Sequence, residues 1–197
     1  MLTLHPPTNL PSPFDVMRES DLYRPVHEYL EQRFGDRLRP AYGDLHSVSA
    51  VTATAGGGGT GQWSKPDLAL VALWRTKYAL AWSLDLHGFE VKTATGCTQA
   101  AVHEALSHTA LVHYSHLVWH KSDWADTRPE CKPILERCAR YGVGLITFAD
   151  PENSDSFVAR LAARRHDPSG EAVDEFIETR FPEADRRQLA QWVERLR

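Results

Sequence analysis

Pro66-Asp67-Leu68-Ala69-Leu70-Val71-Ala72-Leu73-Trp74 and, after a connection over 75–83, Leu84-Asp85-Leu86-His87-Gly88-Phe89-Glu90-Val91-Lys92-Thr93 are the two segments that decide the fold. The first is nearly all apolar behind Asp67, which predicts a strand buried on both faces with an acidic residue at its entrance. The second predicts a neighbouring strand, with Gly88 marking a bulge. Side chains alternate faces along a strand, so Glu90 and Lys92 point the same way, about 6.6–6.8 Å apart. A carboxylate and an amine on one face of a core strand are costly to bury unless further charge meets them.

Upstream, Glu19-Ser20-Asp21 signals a helix start with Ser20 as cap, and Pro25 is tolerated in its early turns. Leu22, Val26, Tyr29 and Leu30 recur at helical spacing, and Gly35 is expected to stop the run. At about 100° per residue, Glu19 falls beside Leu22 and Val26, whereas Glu28 and Glu31 project to the other side. Glu19 is therefore the carboxylate of this helix that faces the centre. Residues 43–54 predict a first strand. Gly56 to Gly61 lack the Lys-Ser/Thr and following helix of a phosphate-cradling loop, since Gln62-Trp63 come next, so they predict a hairpin loop.

Downstream, a helix is expected from Thr98 to Ala110, with Val102, Ala105, Leu106 and Thr109 on its buried face, followed by a strand from His113 to Trp119. A helix over Arg128–Arg140 and a strand over Val143–Phe148 complete the core, and helices are expected at 154–165, 171–180 and 183–196. The order predicts an α/β fold: a mixed central sheet flanked by helices, with a helical C-terminal extension. Residues 1–150 form the core, with His5 to Pro13 as an N-terminal arm, and 151–197 form the extension packed on it.

A net charge of −4 over 197 residues leaves no global basic footprint, so any nucleic-acid contact must come from a local patch. The three cysteines, Cys97, Cys131 and Cys138, form no CxxC and cannot all pair, which points to a reducing cytoplasm. No signal peptide opens the chain and no apolar run approaches a membrane span.

Glu-x-Lys alone carries little information, because about one is expected for every second chain of this length. The sequence indeed contains another, Glu130-Cys131-Lys132, between Pro129 and Pro133 at a helix start. Context separates the two copies. Glu90 and Lys92 lie in a strand, Asp67 heads the strand before it, a helix follows, and a helix bearing Glu19 precedes. In this arrangement the chain resembles the PD-(D/E)xK, or restriction-endonuclease-like, nuclease superfamily over roughly residues 19–120, whose core is helix, three strands, helix, strand.

The resemblance implies Asp67 and Glu90 as ligands of Mg²⁺ or Mn²⁺, with the main-chain carbonyl of Val91, and Lys92 as the catalytic lysine. It implies that Glu19 orients water or holds a second metal. Gln99 and His103 stand where some members place a Gln-x-x-x-Tyr pair against the substrate, with His here replacing Tyr. The activity implied is metal-dependent phosphodiester hydrolysis in nucleic acid, DNA favoured over RNA, by an endonuclease of restriction, phage defence or repair. Specificity would be borrowed from a partner protein or a homodimer, and no membrane is involved. Two alternatives stay open. One is a non-catalytic module that uses this fold to bind nucleic acid or a partner. The other is a zinc protein built on His103, His108, His113, His116 and His120, which helical spacing scatters.

Overall fold

The computed structural model describes residues 17–42, 44–54, 65–76, 78 and 81–196. The expected N-terminal arm and glycine-rich loop lie outside them. The chain opens with a 3₁₀ turn (Glu19–Leu22) and runs through α1 (Tyr23–Tyr29), a π turn (Leu30–Phe34) and α2 (Gly35–Tyr42). Three strands follow, β1 (Asp44–Val51), β2 (Leu68–Arg75) and β3 (Ser83–Lys92), then α3 (Gln99–Ser107) with a 3₁₀ turn at His108–Ala110. β4 (Tyr114–His120), α4 (Lys132–Tyr141), β5 (Gly144–Phe148), β6 (Val158–Leu161), α5 (Gly170–Arg180) and α6 (Glu183–Leu196) complete it. The six strands lie in one sheet in the order β1-β2-β3-β4-β5-β6. β1, β2 and β3 are antiparallel, β3, β4 and β5 are parallel, and β6 returns antiparallel to β5. The mixed, helix-flanked sheet expected from the sequence is therefore present.

Alternation along the strands sorts the core into two faces. Leu68, Leu70, Ala72, Phe89, Val91, Val118, Ile146 and Phe148 pack beneath the first helical run through Leu22, Val26, Leu30 and Phe34. On the other face, Leu117, Trp119 and Leu145 meet Ala101, Val102 and Ala105 of α3 and Ile134 and Cys138 of α4. Ala50, Ala69, Val71 and Leu86 meet Val173, Phe176, Phe181 and Leu189 of the C-terminal segment.

Several local expectations are corrected. The first turn starts two residues early: Asp21 Oδ2 accepts from the N–H of the cap residue Arg18 at 2.8 Å, which leaves Ser20 inside the turn. Gly35 does not stop the helix. A Cβ there would sit 3.2 Å from Ser47 Oγ on β1, so glycine serves close packing of helix on strand. The apolar positions 22, 26, 30, 34 and 38 recur every four residues, slightly more than an α-turn. The π turn at Leu30–Phe34 offsets that drift and keeps them on one side. Gly88 is not a bulge, since its register with Ala69 is regular. A Cβ there would meet Pro66 at 3.1 Å and Val112 at 3.2 Å. Gly88→Ala is expected to lower the unfolding free energy by about 1–3 kcal/mol, read by urea denaturation, and an unchanged midpoint would refute this account of the glycine.

The helix expected at 154–165 is instead a 3₁₀ turn at Ser154–Ser156 followed by β6. Tertiary contacts decide this. Phe157 is buried and stacks on Phe148 with ring centroids 4.4 Å apart, and on Tyr29 at 4.2 Å. β6 then covers the open edge of β5, pairing Ile146 with Ala159 and Thr147 with Val158. Arg160 Nε donates to Thr147 Oγ1 at 2.9 Å. The C-terminal segment thus contributes a strand to the sheet before its two helices. Among the described residues, no helix is long and apolar enough to cross a membrane.

Candidate active site

The charged residues singled out in the sequence meet at the C-terminal end of β3. Asp67 sits one residue ahead of β2, held in register on both sides. Its N–H donates to Phe89 O at 3.0 Å, and its carbonyl accepts from Thr52 and Ala53 N–H at 2.8 and 2.9 Å. Thr52 Oγ1 locks the preceding residue by donating to Pro66 O at 2.7 Å. The Asp67 carboxylate accepts from Tyr23 Oη at 2.7 Å and from the Val91 N–H at 2.9 Å. The amide and carbonyl of one strand residue face the same edge, and Phe89 O and Val91 N both face Asp67. The Val91 carbonyl is thereby directed to that side also, beyond the point where β2 pairs.

Glu90 and Lys92, only 7% and 8% exposed, share the face of β3 that α3 covers. Lys92 Nζ lies 2.8 Å from Glu90 Oε1, 2.8 Å from Glu104 Oε2 and 3.2 Å from Glu19 Oε1. An ammonium has three donors, and here each meets a different carboxylate. His108 Nε2 stands 3.6 Å from Glu90 Oε2. These side chains, with Ala53 and Lys65, line a cavity of about 310 Å³. Lys65 Nζ donates to the Ala53 carbonyl at 2.8 Å.

The site holds more negative charge than its cations balance. Burial, then the neighbouring Asp67, pushes the Glu90 carboxyl up to about 9, against the opposing pull of Lys92. Burial likewise raises Asp67, although bonds from Val91 and Tyr23 pull it down. Burial disfavours the charged form of Lys92, but Glu90 and Glu104 outweigh it, so the amine titrates above its ordinary value. Glu104 is also disfavoured by burial, yet its bonds to Lys92 and Glu90 hold it below the usual carboxylate range. Near neutrality Glu90 is therefore the protonated partner and Glu104 the anion. Burial drops His108 to about 4, which leaves it neutral.

Among the described residues, no three His, Cys, Asp or Glu side chains stand ready-arranged to hold a metal ion. The candidate donors are different in kind: two carboxylates, Asp67 and Glu90, line the cavity, whereas Val91, whose carbonyl the sequence resemblance adds to them, is not among its lining residues. The carboxylates are hard oxygen donors in a pocket short of positive charge, and that chemistry fits Mg²⁺ or Mn²⁺.

The structure thus brings Glu19, Asp67, Glu90 and Lys92 together, and it leaves out Gln99 and His103. Gln99 is exposed at the start of α3 and does not line the cavity. His103 turns to α4, its Nε2 3.1 Å from Arg137 Nη1 and its ring 5.4 Å from that of Tyr141. Glu104 and His108 occupy the place expected of them, because the next residue around the helix, not His103, faces β3. Sequence reasoning also missed Tyr23. Its signal was available: four residues after Glu19, it lies on the same helical stripe. Of the grouped histidines, His113 and His116 sit elsewhere in the core, and the second Glu-x-Lys, with Glu130 and Lys132 exposed, stands outside the cavity.

No family model matches the chain, and no curated protein matches it. Among solved structures, the chain is similar to SPO1766, a protein of unknown function from Silicibacter pomeroyi. The two are 14% identical, with 90% of this chain and 93% of that one aligned at a TM-score of 0.47.

Proposed function

We propose that the chain is a metal-dependent nuclease that hydrolyses phosphodiester bonds within nucleic acid, with DNA favoured over RNA. One observation carries the reading: Glu90 and Lys92, two apart on a buried strand, share with Asp67 a cavity in which carboxylates outnumber cations. The order of elements adds support, because a helix, three antiparallel strands, a helix and a parallel strand make up the core of restriction-endonuclease-like nucleases.

Asp67, Glu90 and the Val91 carbonyl would hold the cation. When bound, a divalent cation supplies Lewis acidity toward a phosphate oxygen and lowers the pKa of a water. The chain's own residues do the rest. Tyr23 and the Val91 N–H fix the Asp67 carboxylate by donating to its two oxygens. Lys92, which now meets Glu19, Glu90 and Glu104, would supply a charged donor to a phosphate oxygen or the attacking water. Glu19, the most exposed of the three carboxylates around Lys92, is placed to accept from water. Restriction, phage defence and repair are settings for such an activity, with specificity supplied by a partner protein or a second copy of the chain.

The direct test incubates plasmid, single-stranded DNA and RNA with the protein and Mg²⁺ or Mn²⁺. Cleavage that stops with chelator is expected, and cleavage that survives it would sink the reading. Glu90→Gln provides a separate check. Glu90 is already protonated near neutrality but ionises on unfolding, so the amide, which needs no proton, is expected to raise metal-free stability at about pH 7, by up to about 3 kcal/mol. The same change is expected to abolish the rise in melting temperature that Mn²⁺ gives the wild type. A rise retained in this variant would remove Glu90 from the ligand set.

A second reading, a non-catalytic nucleic-acid- or partner-binding module, draws on the three engaged donors of Lys92, which leave none for a phosphate. It predicts binding without cleavage in every metal tried.

A further inference from the structure

His108 is 1% exposed, yet its ring has no hydrogen bond among the described residues. Nδ1 has no partner, and Nε2 approaches only Glu90 Oε2, at 3.6 Å, beyond the about 2.7–3.2 Å of a hydrogen bond. A buried ring that brings one nitrogen, Nε2, to the cavity beside a carboxylate without bonding it needs an explanation. The ring also lines the cavity that holds Asp67, Glu90 and Lys92.

The register of α3 on β3 supplies the explanation. Glu90 and Lys92 are two residues apart on a strand, about 6.6 Å, while Glu104 and His108 are four apart on a helix, about 6.0 Å. The two pairs therefore face one another in step: Glu104 meets Lys92 at 2.8 Å, and His108 meets Glu90. In the metal-free arrangement Glu90 is held by Lys92 and Glu104 and has no need of the imidazole.

We propose that His108 is a positioning residue for Glu90, donating Nε2–H to Oε2 when the other carboxylate oxygen is drawn to a divalent cation. This rests on the metal-dependent reading above and extends it to a residue outside the Asp67, Glu90 and Lys92 set. A shift of about half an ångström closes the gap to a normal bond. An imidazole that orients a ligating carboxylate is worth about 10–100-fold in metal affinity.

The test is Mn²⁺ affinity, measured by calorimetry and by the electron paramagnetic resonance of free Mn²⁺, on the full chain. His108→Leu and His108→Met, two apolar replacements without a donor, are each expected to weaken Mn²⁺ binding by about tenfold or more. His108→Gln, whose amide N–H replaces Nε2–H, is expected to stay within about threefold of the wild type. Metal-free melting curves identify variants that fold, and either apolar replacement serves if the other does not. Wild-type affinity in a folded apolar variant would overturn the proposal, as would a glutamine variant as weak as the apolar ones. A wild type that binds no Mn²⁺ would instead remove the metal-dependent reading itself, and this proposal with it.

Discussion

Alanine at Asp67 or at Lys92 is expected to lower Mn²⁺-dependent cleavage by about a thousandfold or more, for different reasons that binding measurements separate. Asp67 would be a cation ligand, so Asp67→Ala loses Mn²⁺ affinity along with rate. It also strands two donors, Tyr23 Oη and the Val91 N–H, that the carboxylate now satisfies. Lys92 is no ligand, so Lys92→Ala keeps Mn²⁺ binding and loses the rate. The lysine variant has a further signature. Without the amine, the carboxylates of Glu19 and Glu104 and the carboxyl of Glu90 share one space with no cation between them. Metal-free stability is expected to fall by about 3 kcal/mol or more, and added Mn²⁺ to recover much of it. Initial rates on supercoiled plasmid, Mn²⁺ titrations and melting curves check the three statements. Undiminished cleavage by either variant would end the assignment.

Acid is expected to unfold the protein through a second set of buried groups, remote from the carboxylates. His87 and His116 lie side by side in the core, His87 Nδ1 3.2 Å from His116 Nε2, with Phe34 edge-on to both rings. Burial holds His116 down at about 3, and burial, then His116, holds His87 well below its ordinary value. The unfolded chain takes up these protons near pH 6.5 while the folded one refuses them. Stability is therefore full above about pH 6.5 and is lost progressively as the pH falls toward the folded values. His116 alone contributes a loss on the order of 3 kcal/mol by about pH 4. Glu90 acts with the opposite sign: its raised pKa stabilises the metal-free fold most below the ordinary carboxylate value and is lost toward pH 9. Urea midpoints at about pH 7 and about pH 4 measure the effect. His116→Gln, which cannot take up the proton, should shrink the difference by about 2 kcal/mol or more; an equal difference in both proteins would refute it.

The parts of the site legible in the sequence are those whose geometry is local. Glu90 and Lys92 share a face because a strand alternates, and Asp67 lies beside them because two antiparallel strands pair. Glu19 was placed by projecting a helix against its own apolar stripe. The parts that were not legible depend on how one element sits on another. Whether His103 or Glu104 faces β3 is decided by a rotation of α3 that its own pattern leaves open, and the sheet, not the helix, sets it. The same holds for β6: the run from Phe157 to Arg165 has spacing compatible with a helix, and only the open edge of β5 and the Tyr29–Phe148 slot for Phe157 make it a strand. Gly35 and Gly88 read as a stop and a bulge because glycine is ambiguous by itself. Their actual neighbours, Ser47, Pro66 and Val112, come from other elements.

Because the strands lie in the sheet in the order in which they occur in the chain, each pairs with the one synthesised just before it. Such a sheet can grow by addition at one edge as the polypeptide leaves the ribosome, with few distant segments to await. The β1-β2-β3 meander, which follows the first helical run, precedes α3 in the chain and juxtaposes Asp67, Glu90 and Lys92 without it. During synthesis the acidic groups therefore assemble around a single lysine, and the helix bearing Glu104 and His108 docks onto a charge cluster already in place.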